Sequence, residues 1–448
     1  MRVTRAGAWR GRLRTAACMV MAMGLLAPAT ASAVPRPGQD PFYMYDGATP
    51  LADLAPGTVT KTRTVTYHVS GIALPVKALQ IAYRSTSQLG RPTVNATTIL
   101  RPLVRRGPSR LVSYQSFYDS LSPYDQPSHA IAGGVTLGGA IMSVEAVLIA
   151  PLLQQGYAVA IPDTQGQSAN FAAGLEYGYN TLDGLRAAFN TPLSRLADDT
   201  KIGMLGYSGG AIATEWAAEL APKYAPDIDR RLVGAAFGGV LVKPSTNLGY
   251  VDGSTVWAGV IPMAVIGIAR SFEVDLKPYL NDRGLRLVEK MKNDSIANVL
   301  GQYPGLTWKS LTKPEYHTPE DIPIYVEKVN QLIMGSYGTP TTPLFIGQGA
   351  KGELEGTKGN KPGIGKGDGV MVAGDVRALA RKFCDQGVTV KYRQYGAASH
   401  IGAALTWTPQ AMVWLNARFK GAPASSNCGE IAPGNSLEPI GPPASPAG

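Results

Sequence analysis

A pentapeptide near the middle of the chain has the residue types that nucleophilic catalysis needs. Residues Gly206–Gly210 read Gly-Tyr-Ser-Gly-Gly and fit G-x-S-x-G, with Ser208 as the candidate nucleophile. An apolar run, Ile202–Leu205, leads into the motif, and a helix-like stretch containing Ile212 and Trp216 leads out of it. Small flanking residues suit a strained strand-to-helix turn that lifts the serine hydroxyl away from the backbone. This context favours a nucleophile elbow over the alternative, an ordinary glycine turn.

A serine hydroxyl needs a base to take its proton, and the chain has four histidines. Where this motif is catalytic, the acid and then the histidine follow the serine, which leaves His317 and His400. His400 comes directly after the last predicted strand, Val388–Tyr395, and before an apolar helix. His317 lies in a segment of Lys, Pro and Glu residues and is expected at the surface. His400 is therefore the predicted base.

The acid that orients the histidine should follow the next-to-last predicted strand. Four acids do so: Glu353, Glu355, Asp368 and Asp375. Asp375 begins a predicted helix and is expected to cap it, and the two glutamates lie in a Gly- and Lys-rich loop where solvation is expected. Asp368 lies on the short approach to that helix, but spacing alone leaves the choice among these acids open.

The elements that must position these residues can be read from hydrophobic runs. Short apolar or β-branched runs occur at Leu79–Tyr83, Thr97–Leu100, Leu111–Tyr114, Tyr157–Ile161, Ile202–Leu205, Val233–Phe237, Pro343–Ile346 and Val388–Tyr395. Helix-like stretches such as Ala211–Tyr224 and Asp375–Gln386 alternate with the later ones. This alternation predicts an α/β fold whose mostly parallel central sheet is covered by helices on both faces. No G-x-G-x-x-G follows the first strands, which weighs against dinucleotide binding.

The alternation breaks between about residues 241 and 339. Gly259–Phe272 is largely apolar, and apolar residues then recur at helical spacing on a charged background: Leu285, Val288, Met291, Ile296 and Leu300. These residues predict either helical core or a helical cap inserted over the active site. Both can hold, because a cap must also bury its own apolar face.

The first 33 residues have the pattern of a secretory signal peptide. Five arginines and no acid precede the apolar stretch Ala16–Ala27, and Ala31–Ala33 supplies an A-x-A cleavage site. The stretch is shorter than the about 20 residues that a membrane span needs. We therefore predict secretion after cleavage near Ala33, with no transmembrane segment in the mature chain. A hydrolase-type domain over 34–428 and a flexible Pro/Gly/Ser-rich tail over 429–448 are then expected.

Charge and cysteine content exclude several classes of protein. Cleavage lowers the net charge from +10 to +5, since the removed segment holds five arginines and no acid. No block of lysines or arginines resembles a nucleic-acid-binding surface. No C-x-x-C or H-E-x-x-H occurs, so neither a metal nor another cofactor is predicted. Two cysteines remain, Cys384 and Cys428, and an even pair in an exported protein suggests a disulfide, with free thiols as the alternative.

The sequence resembles the secretory lipase family of α/β-hydrolases, the Candida lipase A type with many actinobacterial members. The similarity extends over nearly the whole mature chain, and its most specific part is Gly206–Ala211 followed by Trp216. Further matching segments are Gln39–Tyr43, Ser113–Ser120, Leu153–Tyr157 and Leu182–Gly184. The resemblance implies an α/β-hydrolase fold with a helical cap that shapes an acyl tunnel. It also implies lipase or esterase activity on lipid or small-ester substrates, with contact at a lipid–water interface.

The resemblance also implies roles for single residues. The family places its acid in an Asp-x-x-Val-like turn before a helix with a half-cystine. Asp368 precedes Cys384 by 16 residues and His400 follows it by 16, which favours Asp368 as the acid. The family's disulfide implies that Cys384 pairs with Cys428. One departure is the segment Ala350–Gly367, which is longer than the family pattern; it is a candidate mobile rim loop and leaves Glu353 as a fallback acid.

Charge that develops in the transition state needs hydrogen-bond donors. The backbone N–H of Gly209, directly after the nucleophile, is expected to supply one. No His-Gly-Gly-Gly motif occurs to supply the second, and the resemblance implies Asp119 for that role. Its alternative is an ordinary turn aspartate.

Together these residues predict acyl transfer through a covalent intermediate on Ser208. Two rival functions stay open: an acyltransferase that uses the same serine, and a catalytically inactive cell-surface binding protein on a hydrolase scaffold. Peptidase or polysaccharide-esterase activity also stays open, because fold does not fix substrate.

Overall fold

A computed structural model describes residues 34–104 and 107–441; the predicted signal peptide and its cleavage site lie outside them. One sheet contains nine strands. They are β1 Val59–Val69, β2 Ile72–Thr86, β3 Pro92–Leu100, β4 Arg110–Gln115, β5 Ala158–Pro162, β6 Lys201–Tyr207, β7 Leu232–Gly238, β8 Leu344–Gly349 and β9 Val390–Tyr395.

The sheet is antiparallel at one edge and parallel elsewhere. Its order is β1-β2-β3-β5-β4-β6-β7-β8-β9, with antiparallel pairing from β1 through β3 to β5 and parallel pairing from β5 through β9. Every predicted strand run overlaps an observed strand, and the predicted α/β-hydrolase fold is confirmed. Strand β1 was not predicted. In β1, the charged residues Lys61 and Arg63 lie on the same face of the strand as Val65 and Tyr67. That face is therefore not consistently apolar, and the alternation that would predict a strand is missing.

The described residues contain twelve α-helices. They are α1 Pro127–Ala132, α2 Ala140–Gln154, α3 Gly174–Phe189, α4 Gly209–Tyr224, α5 Pro226–Asp229, α6 Pro244–Val251, α7 Val260–Ser271, α8 Asp282–Met291, α9 Ile296–Val299, α10 Pro323–Asn330, α11 Ala373–Asp385 and α12 His400–Phe419. Helices α3, α4 and α11 contribute Leu182, Trp216 and Phe383 to one core. Helices α2 and α12 contribute Ile149 and Trp407 to a second core. The sheet is therefore covered on both faces, as predicted.

Five helices, α6 to α10, lie between β7 and β8, where the strand–helix alternation breaks. The apolar segment predicted at Gly259–Phe272 forms α7, and Met263 packs with Phe171 and Met291 in a separate apolar cluster. Helix α8 ends at Met291 and α9 begins at Ile296, so the helical spacing predicted there spans two helices. We refer to residues 241–339 as the cap segment.

Cys384, near the end of α11, and Cys428 form a disulfide, which confirms the predicted pairing. The chain beyond it makes specific contacts: Ile431 is buried, and Lys243 Nζ donates to the carbonyl oxygens of Ser436 and Glu438 at 3.2 and 2.6 Å. These contacts differ from the flexible tail predicted from Gly429. Composition alone missed them, because one apolar side chain and a few backbone acceptors suffice to dock a Pro- and Gly-rich segment.

Two searches of the described residues gave negative results. No helix there has both the length and the apolar character to cross a bilayer. No group of three or more His, Cys, Asp or Glu side chains is placed there to hold a metal ion.

Candidate active site

Ser208 occupies the turn between β6 and α4 with φ +54 and ψ −121, a backbone conformation that residues with a side chain rarely adopt. Two glycines make the turn possible. A β-carbon on Gly206 would lie 2.2 Å from the carbonyl oxygen of Gly210, and one on Gly210 would lie 2.0 Å from that of Gln115. Close backbone approach therefore explains both glycines of the G-x-S-x-G pattern, and the geometry is that of the predicted elbow.

Hydrogen bonds join Ser208, His400 and Asp368 in one line. The Oγ atom of Ser208 lies 2.9 Å from Nε2 of His400, and Nδ1 of His400 lies 2.8 Å from Oδ2 of Asp368. Both His400 and Asp368 are buried. When Nδ1–H donates to Asp368, Nε2 is free to accept the serine proton, which is the tautomer that a general base needs.

Asp368 is fixed by donors besides the histidine. Its Oδ1 accepts the backbone N–H groups of Val370 and Met371 at 3.1 and 2.8 Å. Its Oδ2 accepts Nε2 of Gln348, the penultimate residue of β8, at 2.8 Å. Both carboxylate oxygens are thereby oriented, so the end of β8 and the turn before α11 together aim the carboxylate of Asp368 at His400.

The other candidates for acid and base lie in different surroundings. Glu353 is half-exposed and lies 3.8 Å from Lys351, and His317 is exposed as expected. Asp375 lies in the first turn of α11, whose N-cap is Val372, so the prediction that it caps the helix is wrong. The prediction of a solvated Glu355 is also wrong, because this residue is buried and accepts two hydrogen bonds.

The environment of His400 favours its protonated form. The backbone N–H of His400 donates to the carbonyl oxygen of Asp368 at 2.8 Å. The backbone carbonyl oxygen of His400 accepts a hydrogen bond from the hydroxyl of Tyr207 at 2.7 Å. Burial alone would lower the pKa of His400. The carboxylates of Asp368, Glu355 and Asp119 outweigh that effect and raise this pKa above its usual value.

Asp119, in the loop after β4, lies directly over Gly209. A β-carbon on Gly209 would stand 1.7 Å from Oδ1 of Asp119, and that oxygen has no hydrogen-bond partner among the described residues. Burial raises the pKa of Asp119 to about 7; the charge of His400 lowers it and that of Glu145 raises it. Near neutral pH a large fraction of this carboxyl therefore carries a proton and can donate a hydrogen bond. The backbone oxygen of Asp119 accepts the N–H of Ile296 at 2.8 Å, which links this loop to α9.

An apolar pocket opens beside Ser208. Helix α7 supplies several of its walls, including Ile261, Val265 and Ile268. A second apolar pocket lies within the cap segment, and Val265 and Tyr325 line both. Ser208 therefore faces apolar space that adjoins further apolar space within the cap segment.

Comparison with known proteins finds one lipase family and relatives whose names contain the word lipase. The family model described as Secretory lipase matches residues 133–361 and 363–427. Lipase 4 of Candida albicans is 30% identical over 88% of this chain and 84% of its own length. A Mycobacterium tuberculosis protein named a probable inactive lipase is 30% identical over 87% of this chain and 84% of its own length.

Solved structures extend the comparison to three dimensions. Candida antarctica lipase A in its closed state matches with a TM-score of 0.76 and 26% identity, covering 90% of this chain and 91% of that chain. A rice cell wall degrading esterase from Xanthomonas oryzae has a TM-score of 0.62 and 15% identity, covering 83% of this chain and 100% of that chain. The latter similarity concerns the fold alone.

Proposed function

We propose that this chain, which belongs to the secretory lipase family, is a secreted serine hydrolase that cleaves fatty-acyl esters, acylglycerols in particular. The observation that carries the proposal is the hydrogen-bonded line from Ser208 through His400 to Asp368, opening into an apolar cavity. A nucleophile, its base and an orienting acid are the groups that acyl transfer needs. The apolar walls suit an acyl chain, because burying each methylene stabilises the complex by about 0.8 kcal/mol.

The reaction follows from the positions of these groups. His400 Nε2 takes the proton of Ser208 as its oxygen attacks the ester carbonyl carbon, and Asp368 stabilises the imidazolium that forms. The N–H of Gly209 and the protonated carboxyl of Asp119 donate to the oxyanion. The tetrahedral intermediate then expels the alcohol, which takes the proton from His400. Water, activated by the same histidine, hydrolyses the acyl-enzyme and releases the fatty acid.

One similar protein is named a probable inactive lipase, and an inactive binding protein on a hydrolase scaffold is therefore the alternative to test. In this chain the three side chains lie within hydrogen-bond distance in the required order, which favours an active enzyme. An acyltransferase would use the same serine and pass the acyl group to an alcohol. Product analysis with and without an acceptor alcohol separates that activity from hydrolysis.

Export is part of the proposal. It is supported by the arginine-rich, apolar and A-x-A pattern of residues 1–33 and by the description of the family as secretory. A disulfide between Cys384 and Cys428 suits an oxidising compartment.

The test compares purified variants on p-nitrophenyl esters of several chain lengths and on emulsified triglyceride. We expect Ser208→Ala to abolish hydrolysis and Asp368→Asn to lower kcat by roughly 10³–10⁴-fold, because the histidine loses the partner that fixes its tautomer. Glu353→Gln, the matched control, should retain wild-type activity. Retained activity in folded Ser208→Ala, or a loss in Glu353→Gln alone, would contradict the assignment.

A further inference from the structure

Glu355 is a buried carboxylate that the acyl-transfer scheme above does not use. It ends a short 3-10 helix, Gly352–Glu355, in the segment Ala350–Gly367 between β8 and Asp368. Its Oε1 accepts the backbone N–H of Ile401 and its Oε2 accepts Nε1 of Trp257, both at 2.9 Å. One carboxylate thus joins segment 350–367, the cap segment and the start of α12.

The bond to Ile401 acts on the helix that carries the base. His400 is the first residue of α12 and Ile401 the second, and the first N–H groups of a helix have no acceptor within the helix. The N-cap, Ser399, accepts the N–H of Gly402 at 3.3 Å, and Glu355 accepts the N–H of Ile401. A negative charge at a helix N-terminus is favourable. Glu355 therefore holds the turn that begins with His400.

The bond to Trp257 acts on the imidazole ring itself. The rings of Trp257 and His400 meet edge to face, with centroids 5.2 Å apart and planes at 81°. The indole is buried and its N–H donates to Glu355. Glu355 thereby fixes the orientation of an aromatic ring that packs against the base.

The turn that contains the acid leaves room for these contacts. A β-carbon on Gly369, the residue after Asp368, would lie 2.9 Å from Nε1 of Trp257 and 3.0 Å from Oε2 of Glu355. Thr357 Oγ1 donates to the carbonyl oxygen of Gly369 at 2.6 Å. Segment 350–367 is thus bonded to the turn that contains Asp368.

We propose that Glu355 is a positioning residue for this active site: a second carboxylate that holds His400 through the first turn of α12 and through Trp257, and that stabilises the imidazolium by its charge. The proposal rests on the proposed function and extends it. Segment 350–367 thereby supplies part of the site.

The charged and titratable groups that face His400 set the expected pH dependence. Asp368 contacts the imidazole, Glu355 and Asp119 add negative charge from two other loops, and Tyr207 packs against the ring. Removing the charge of Glu355 lowers the pKa of His400, because one of the carboxylates that favour imidazolium is lost. The acid limb of the kcat/KM profile, which reports the unprotonated base, should then move to lower pH.

The experiment measures kcat/KM against pH for wild type, Glu355→Gln and Glu353→Gln. Glu353 lies in the same short helix and is half-exposed, so its variant controls for charge removal from the segment. We expect Glu355→Gln to lower the plateau value of kcat/KM about tenfold, the size of effect known for residues that orient the side-chain ligands of catalytic metals. We also expect the acid limb of the profile to move to lower pH. Glu353→Gln should change neither. A Glu355→Gln profile that superposes on wild type, or one lowered equally at every pH, would overturn the proposal.

An NMR measurement keeps the outcome distinct from that of the proposed function. The pKa of His400 can be followed by NMR without substrate, and Glu355→Gln should lower it relative to wild type and Glu353→Gln. That result stands even if wild type hydrolyses no ester, an outcome that would overturn only the proposed function; an unchanged pKa would overturn the role of Glu355. Should Glu355→Gln fail to fold, Trp257→Phe removes the indole N–H and keeps a smaller aromatic ring at this position. It should lower kcat/KM without moving the acid limb to lower pH, and wild-type kcat/KM would contradict the positioning role.

Discussion

The carboxyl group of Asp119 fills the space in which a side chain on residue 209 would begin, since a β-carbon built on Gly209 would stand 1.7 Å from Oδ1. The first and second donors proposed for the oxyanion are therefore adjacent, although 90 residues separate them in the chain. Glycine at 209 is required by this contact, and not only by the turn at Ser208.

Gly209→Ala should accordingly disrupt the oxyanion site while leaving the fold intact. We expect kcat to fall by roughly 10²–10³-fold, the usual effect of losing one oxyanion donor, because the methyl group must displace Asp119. Gly396→Ala is the control, since a β-carbon there meets nothing within 4 Å. Steady-state kinetics together with circular dichroism would check this, and near-wild-type kcat in Gly209→Ala would argue against the assignment of Asp119.

The raised pKa of Asp119, about 7, gives the oxyanion site a pH dependence with a definite sign. Below that pKa the carboxyl is protonated and donates a hydrogen bond; above it, the carboxylate loses the donor and repels the oxyanion. Asp119→Asn keeps an N–H donor at every pH. The ratio of variant to wild-type kcat should therefore rise from neutral to alkaline pH, and a constant ratio would show that the Asp119 side chain does not donate.

The two cavities that meet at Val265 should set the acyl chain length. Val265→Trp places a large side chain between them, so esters that need both cavities lose binding while short esters keep it. We expect the ratio of kcat/KM for long to short p-nitrophenyl esters to fall at least about tenfold. Val413→Trp, on an exposed site of α12, should leave the ratio unchanged. Equal effects on all chain lengths would contradict a role for the second cavity.

The disulfide should contribute to stability and not to chemistry. Cys384 and Cys428 are 44 residues apart and line neither cavity. Replacing both by serine should lower the free energy of unfolding by roughly 3–4 kcal/mol, the chain-entropy value for a loop of this size. Urea unfolding measures the change, and kcat well below the unfolding transition should stay at the wild-type value. An unchanged unfolding midpoint would argue against this contribution.

The fold and the central residues of the site were predictable for identifiable reasons. The strand–elbow–helix pattern around Ser208 and the position of His400 after the last strand are local signals that tertiary packing did not override. Asp368 needed the family resemblance, because the sequence offered four acids after β8 and no local pattern distinguished them.

Other features depend on contacts that sequence does not encode locally. Glu353 and Glu355 are two residues apart in one loop, yet one is half-exposed and the other is buried against Trp257. Which of them turns inward is decided by the distant start of α12, whose Ile401 N–H needs an acceptor. The docked segment after Gly429 likewise depends on Lys243, which lies far earlier in the chain.

The most direct test of the central claim is covalent trapping of the nucleophile. A p-nitrophenyl alkylphosphonate mimics the tetrahedral intermediate and reacts with activated serines. Mass spectrometry of wild type should show a single phosphonyl adduct on the peptide that contains Ser208, with loss of hydrolytic activity in the same proportion. Ser208→Ala should show none. A wild-type protein that stays unmodified while it hydrolyses esters, or an adduct that persists in Ser208→Ala, would contradict the account.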